Sequence, residues 1–217
     1  MLNHYIQKTD KVMDSIKADP VLSQWVDLTL KCPAPYTGSE DIKLIVLGQD
    51  PTIKNADKRK DIKKVLNLDS KKQLRTYINN ICSALGMSLE NVYATNLVKN
   101  FFLEPPAKNI SLLRSFETIW SDVLNWELIH FPDVPIISFG EPVVQCIVQN
   151  GSQKVRDYWG YQGQAKPTKF SRIEPHQNKL GRRIYPFPHQ PSAYRKPFYK
   201  NNLDSYLGYV LAQKHQI

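Results

Sequence analysis

An aspartate at the end of an apolar run and a histidine held between prolines are the two side chains best placed to do chemistry. Asp50 follows Ile45-Val46-Leu47-Gly48-Gln49 and precedes Pro51. A Gly/Pro-shaped turn therefore holds its carboxylate at the end of what reads as a buried strand. A carboxylate fixed there suits orienting a water or stabilising a cationic, sugar-like transition state. Capping the next turn is the other use of the same residue. His189 stands in Pro186-Phe187-Pro188-His189-Gln190-Pro191-Ser192. The prolines fix the loop backbone. An imidazole there suits donating one N–H to a ligand carbonyl while its other nitrogen is oriented by the protein; a surface histidine in a turn is the alternative. Asn96 ends the second strand, read within the run 92–98. Its amide has two donors and an acceptor, the equipment to read a base edge, and equally the equipment to shape a turn.

The elements that must position these residues alternate along the chain. Short apolar runs at 42–47, 92–98, 134–139 and 183–188 predict strands. Helical patterns occupy 1–18, 21–30, 71–86, 110–130, 141–150 and 200–213, with Asn109 or Ser111 capping the fourth. Strands separated by helices imply parallel pairing with helical crossovers. Such sheets bind ligands just beyond the carboxyl ends of their strands. Those ends are followed here by Gly48-Gln49-Asp50-Pro51, by Asn96 with Lys99 and Asn100, by Gly140-Glu141-Pro142 and by His189-Gln190-Pro191-Ser192.

The net charge of +9 is unevenly spread. Residues 51–75 hold 9 basic and 3 acidic side chains, and residues 153–200 hold 11 and 2, while the stretches between are neutral or acidic. Two such blocks at the first and last strand ends fit a polyanion-binding face, or solvated loops on a basic protein. In the second block Tyr158, Trp159, Tyr161 and Phe170 interleave with Lys154, Arg156, Lys166, Lys169 and Arg172. That pattern reads as a base-stacking loop or as an insert that packs on the core. The three cysteines, at 32, 82 and 146, are too scattered for a metal site and read as reduced thiols. No apolar run reaches the ~18 residues of a membrane span, and no secretion signal opens the chain. A cytoplasmic, monomeric protein is expected.

Together the motifs resemble the uracil-DNA glycosylase superfamily. IVLGQDP at 45–51 is similar to the first motif of family 1, in which GQDP is followed by Tyr-His. TNLVK at 95–99 is closest to the middle motif of family 4, and HQPSAYR at 189–195 is similar to the last motif. The resemblance covers about residues 40–210. It implies an α/β domain of three α/β/α layers around a mostly parallel four-stranded sheet, spanning 1–217, with 1–38 as a helical extension packed on it. It implies that Asp50 positions the attacking water, that His189 hydrogen-bonds the leaving base, and that Gln49 and Asn96 contact that base. It implies phosphate contacts from Ser192 and from basic side chains such as Lys99, Arg182, Arg195 and Lys196. The partner is DNA, and no metal or organic cofactor is needed.

The departures from the pattern concern the substrate. Thr52-Ile53 replaces Tyr-His, and the smaller Thr52 predicts a pocket that admits a larger base. No aromatic stands near the place of the stacking phenylalanine; Val65, Leu66, Asn67 and Leu68 do, and Leu66 is the candidate base contact. Ala193, Tyr194 or Arg195 must replace the missing wedge leucine. The expected activity is monofunctional base excision, with no lysine Schiff base. Excision of hypermodified phage bases in defence is one alternative. A non-catalytic DNA-binding protein is another. A nucleosidase is disfavoured, because a free nucleoside has no phosphate to reward the basic blocks.

Overall fold

The four apolar runs become the parallel strands of one sheet. In this computed structural model, residues 1–70 and 72–214 are described. The strands are β1 (Tyr36–Thr37), β2 (Leu44–Gly48), β3 (Val92–Asn96), β4 (Ile136–Phe139) and β5 (Ile184–Phe187), in the order β1-β3-β2-β4-β5. Every residue of β2 to β5 is buried. That burial is why these strands read as continuous apolar runs rather than alternating ones. The sheet has five strands, not the expected four. β1 adds to the edge, antiparallel to β3, and a strand of two residues is too short to leave a pattern in sequence.

The helices are α1 (Leu2–Ala18), α2 (Pro20–Ser23), α3 (Gln73–Ala84), α4 (Ile110–Leu128), α5 (Glu141–Ile147), α6 (Val155–Tyr158), α7 (Gln190–Arg195) and α8 (Pro197–Lys214). Asp19 caps α2, accepting from Val21 N at 2.8 Å, and Pro20 occupies its first position. The helix expected over 21–30 stops at Ser23, because Val26 forms a bridge with Phe102 instead. Asn109 rather than Ser111 caps α4, accepting from Leu112 N at 3.1 Å. The short α6 and α7 lie in proline-bearing basic segments that carry too few residues to show a helical period.

Strand register shows how the layers form. On one face, Tyr93 and Thr95 of β3 both donate hydroxyl protons to Glu127 of α4, at 2.7 and 2.8 Å. On the other face, Phe139 of β4 and Phe187 of β5 pair in register. Phe139 packs on Tyr77 of α3 at 5.5 Å between centroids, and Phe187 on Tyr206 of α8 at 5.1 Å. Helices therefore cover both faces. The N-terminal segment belongs to the same core: Tyr5 of α1 is buried, with its hydroxyl on Pro33 O at 3.0 Å, and β1 joins the sheet.

The aromatic insert is core, not a base-stacking loop. Trp159 is fully buried and stacked on Tyr206 at 4.2 Å. Tyr158 is buried, and Phe170 packs on Tyr206 at 5.4 Å. Cys32, Cys82 and Cys146 are free thiols. Among the described residues, no helix is long and apolar enough to cross a membrane.

Candidate active site

Beyond the carboxyl ends of β2, β4 and β5 lies a cavity of about 650 Å³. It is walled by the loops that follow those strands: Gly48 to Ile53, Gly140 to Pro142, and Pro188 with His189. This is where a parallel sheet leaves its ligand crevice. The volume is that of a small-molecule pocket.

Asp50 lines the cavity and is fixed through both carboxylate oxygens. Gln49 Nε2 donates to Oδ2 at 2.6 Å, and the Thr52 N–H donates to Oδ1 at 2.8 Å. The second bond closes a turn over two residues, so the carboxylate shapes its own loop and still faces the cavity. Burial pushes its pKa up to about 6, and the bonds from Thr52 and Gln49 restrain the rise. Above that pH it is an ionised base in a desolvated wall. One of the two side-chain N–H groups of Gln49 is spent on Asp50, and Gln49 itself lines the cavity. Thr52 also lines the cavity, and its Oγ1 accepts from Phe102 N at 2.8 Å.

His189 is on the β5 side of the cavity, at the N-terminal boundary of α7, where its side chain caps nothing. Desolvation lowers its pKa from the ordinary histidine value. A neutral imidazole donates a hydrogen bond without bringing a charge. Gly140, in the left-handed region at φ 91°, lets the β4 loop pass close by: a Cβ there would stand 3.8 Å from His189 Cβ.

Asn96 is at the expected strand end but does not face the cavity. It is 1% exposed, and neither amide atom has a hydrogen-bond partner. Gly48 and Leu66 cover it: a Cβ on Gly48 would fall 2.3 Å from Asn96 Oδ1 and 2.8 Å from a Leu66 methyl. Only glycine fits there. Leu66 does line the cavity, and it sits in the left-handed region at φ 56°, as does Asn67 at φ 53°. A leucine rarely adopts that conformation. Leu66 thus separates an orphaned amide from the cavity.

The expected DNA contacts divide. Ser192 and Lys196 line the cavity. Tyr194 and Arg195 are exposed on α7, and the Tyr194 ring packs edge-to-face with Tyr77 at 5.4 Å between centroids. Lys99 does not reach solvent. It is buried in a pair with Glu127 and also donates to Thr95 Oγ1 at 2.6 Å and Asn96 O at 2.7 Å. Desolvation drives its pKa down while Glu127 opposes that. Its charge is consumed holding β3 to α4. Arg182 is also lost to the interface. Its guanidinium caps the end of α4, donating to Leu128 O, Phe131 O and Val134 O, and it stands at the amino end of β5, away from the cavity.

Two residues not singled out as contacts, Lys72 and Glu141, belong to the site. Lys72, from the first basic block, and Lys196, from the second, line the same cavity. Lys196 is an expected contact, whereas Lys72 is marked only by its charge block, with no local pattern to separate it from its neighbours. Glu141, the first residue of α5, adds a second carboxylate to the lining. No protein-family model matches this chain, and no curated protein matches it.

Proposed function

We propose that the protein is a monofunctional DNA N-glycosylase. The observation that carries this reading is one cavity holding Asp50 and His189, with Lys72 and Lys196 on its walls from the two separated basic blocks. The resemblance of GQDP, TNLVK and HQPSAYR to the uracil-DNA glycosylase motifs agrees with it.

The chemistry follows from the groups present. The target base is extruded from the stack, because its glycosidic bond is inaccessible in a duplex. The C1′–N bond breaks with its electron pair going to the base. Neutral His189 stabilises the anionic leaving base by hydrogen bonding, at the stage where charge develops. Ionised Asp50 stabilises the cationic sugar and takes the proton of the water that bonds to C1′. The products are free base and an abasic sugar. Lys72 and Lys196 hold the flanking phosphates. The cavity size and the small Thr52 favour a bulky base, such as a 5-substituted pyrimidine or a hypermodified phage base, over uracil alone.

The test is strand cleavage after alkali on oligonucleotides bearing uracil, thymine mispairs, hypoxanthine or 5-substituted pyrimidines, with phage DNA of modified bases in parallel. Cleavage lost in Asp50→Asn supports the proposal and names the base. Tight, salt-sensitive binding with no base released from any substrate replaces it with a DNA-binding role.

A further inference from the structure

Arg59 stands in the first basic block, on the short turn Ala56–Asp61, yet it is 3% exposed. None of the ion pairs among the described residues includes it. Its guanidinium donates instead to three main-chain carbonyls: Nε to Ile53 O at 2.9 Å, and Nη1 to Phe102 O at 3.0 Å and Leu103 O at 2.9 Å. A buried cation met only by neutral acceptors is costly. A charge placed there is out of reach of DNA phosphate, so the block's polyanion-binding role does not account for it.

The carbonyls belong to two segments. One is the Asp50 turn, which runs on to Ile53. The other is the loop beyond β3, and the two are joined again where Phe102 N–H donates to Thr52 Oγ1 at 2.8 Å. The Thr52 N–H in turn holds Asp50 Oδ1 at 2.8 Å. A continuous set of bonds therefore runs from Arg59 through Phe102 and Thr52 to the carboxylate.

We propose that Arg59 is a positioning residue for Asp50, clamping the strand-end turn against the neighbouring loop and holding a fixed positive charge near the carboxylate. This rests on the reading of Asp50 as the working base. The other charged or titratable groups lining the cavity with Asp50 are Lys72, Glu141, His189 and Lys196, which are exposed to solvent and salt, and the buried Tyr199. Arg59 is shielded from both. Its field lowers the Asp50 pKa and so opposes the effect of burial.

The experiment is a carbon-detected NMR titration of the Asp50 carboxyl, assigned by its loss in Asp50→Asn, in the full chain and in Arg59→Met and Arg59→Lys. In Arg59→Met the midpoint is expected to rise, because a charge that favours the ionised carboxylate is removed along with the clamp on its turn. In Arg59→Lys it should stay within a few tenths of the parent, because the charge remains. The lysine cannot reach all three carbonyls, so hydrogen exchange at the Phe102 amide should speed up by roughly tenfold. A midpoint that does not move in Arg59→Met overturns the electrostatic role. Unchanged Phe102 exchange in Arg59→Lys overturns the clamp, and it can be read even if the methionine variant does not fold. Neither measurement needs turnover. A protein that releases no base defeats the glycosylase proposal while leaving both readings in place.

Discussion

Burial of Asp50 ties its chemistry to folding. The unfolded carboxyl titrates near its ordinary 3.8, and the folded one near about 6. Between those values the native state keeps a proton that the unfolded chain has released. Stability therefore falls as pH rises through the window, and the cost is complete above it. Asp50→Asn removes that cost. At pH 7.5 the variant should be more stable by about 1–2 kcal/mol, discounted for the solvent in the cavity, with the gain gone by about pH 3, below both pKa values; thermal melts at the two values decide it. Base release should fall by about 10²–10⁴-fold in the same variant. The position of Asp50 was legible in sequence, because an apolar run ending in Gly and Pro marks a strand end. Its fixing was only partly so: Gln49 and Thr52 are neighbours, but Arg59 acts through Phe102, forty-three residues further on. Lys99 was misread for the same reason. Its type suggested phosphate, and the partner that buries it, Glu127, lies twenty-eight residues away.

Two elements carry consequences of their own. The Leu66–Asn67 turn holds a left-handed leucine over the unpartnered Asn96 amide. Leu66→Ala should open that amide to the cavity, and exchange of its side-chain NH₂ protons with water should quicken by roughly tenfold or more. Unchanged exchange would mean that Gly48 and the sheet seal Asn96 without Leu66. The β3–α4 contact rests on the Lys99–Glu127 pair. Lys99→Met leaves Glu127 buried and unpaired, and denaturant unfolding should show a loss of about 3–5 kcal/mol, much of it recovered in Lys99→Met with Glu127→Leu. The long strands and helices could be read from pattern, since burial on both faces writes continuous apolar runs and amphipathic faces write a period. β1, α6 and α7 are too short for any period to register. The left-handed turn was invisible, because leucine gives no hint of positive φ.

At the scale of the molecule, topology brings together two basic blocks lying more than 75 residues apart in the chain. Lys72 and Lys196 meet at one cavity, while Arg182 stands at the other end of β5. Lys72→Ala and Lys196→Ala should each lower the slope of log K against log salt for oligonucleotide binding by ~0.7–0.9. Arg182→Ala should leave the slope unchanged and lower stability instead. Fluorescence anisotropy across a salt series separates the three. The sequence marked the blocks as basic; which lysines converge depends on crossovers that only the folded sheet defines.

The two borders of the sheet bear on how the chain behaves when crowded. β1 offers only two residues. Along β5, Ile184 exchanges both main-chain hydrogen bonds with Ile173, at 2.9 and 3.1 Å. Pro186 has no N–H, and its carbonyl accepts from Trp159 Nε1 at 2.8 Å. A foreign strand thus finds no free ladder to extend on either side. The tryptophan buried in the insert acts as a lid on the border strand, and trimming it to alanine would bare a single carbonyl, too little for a foreign strand to zip onto while Ile184 stays paired and Pro186 has no N–H to give.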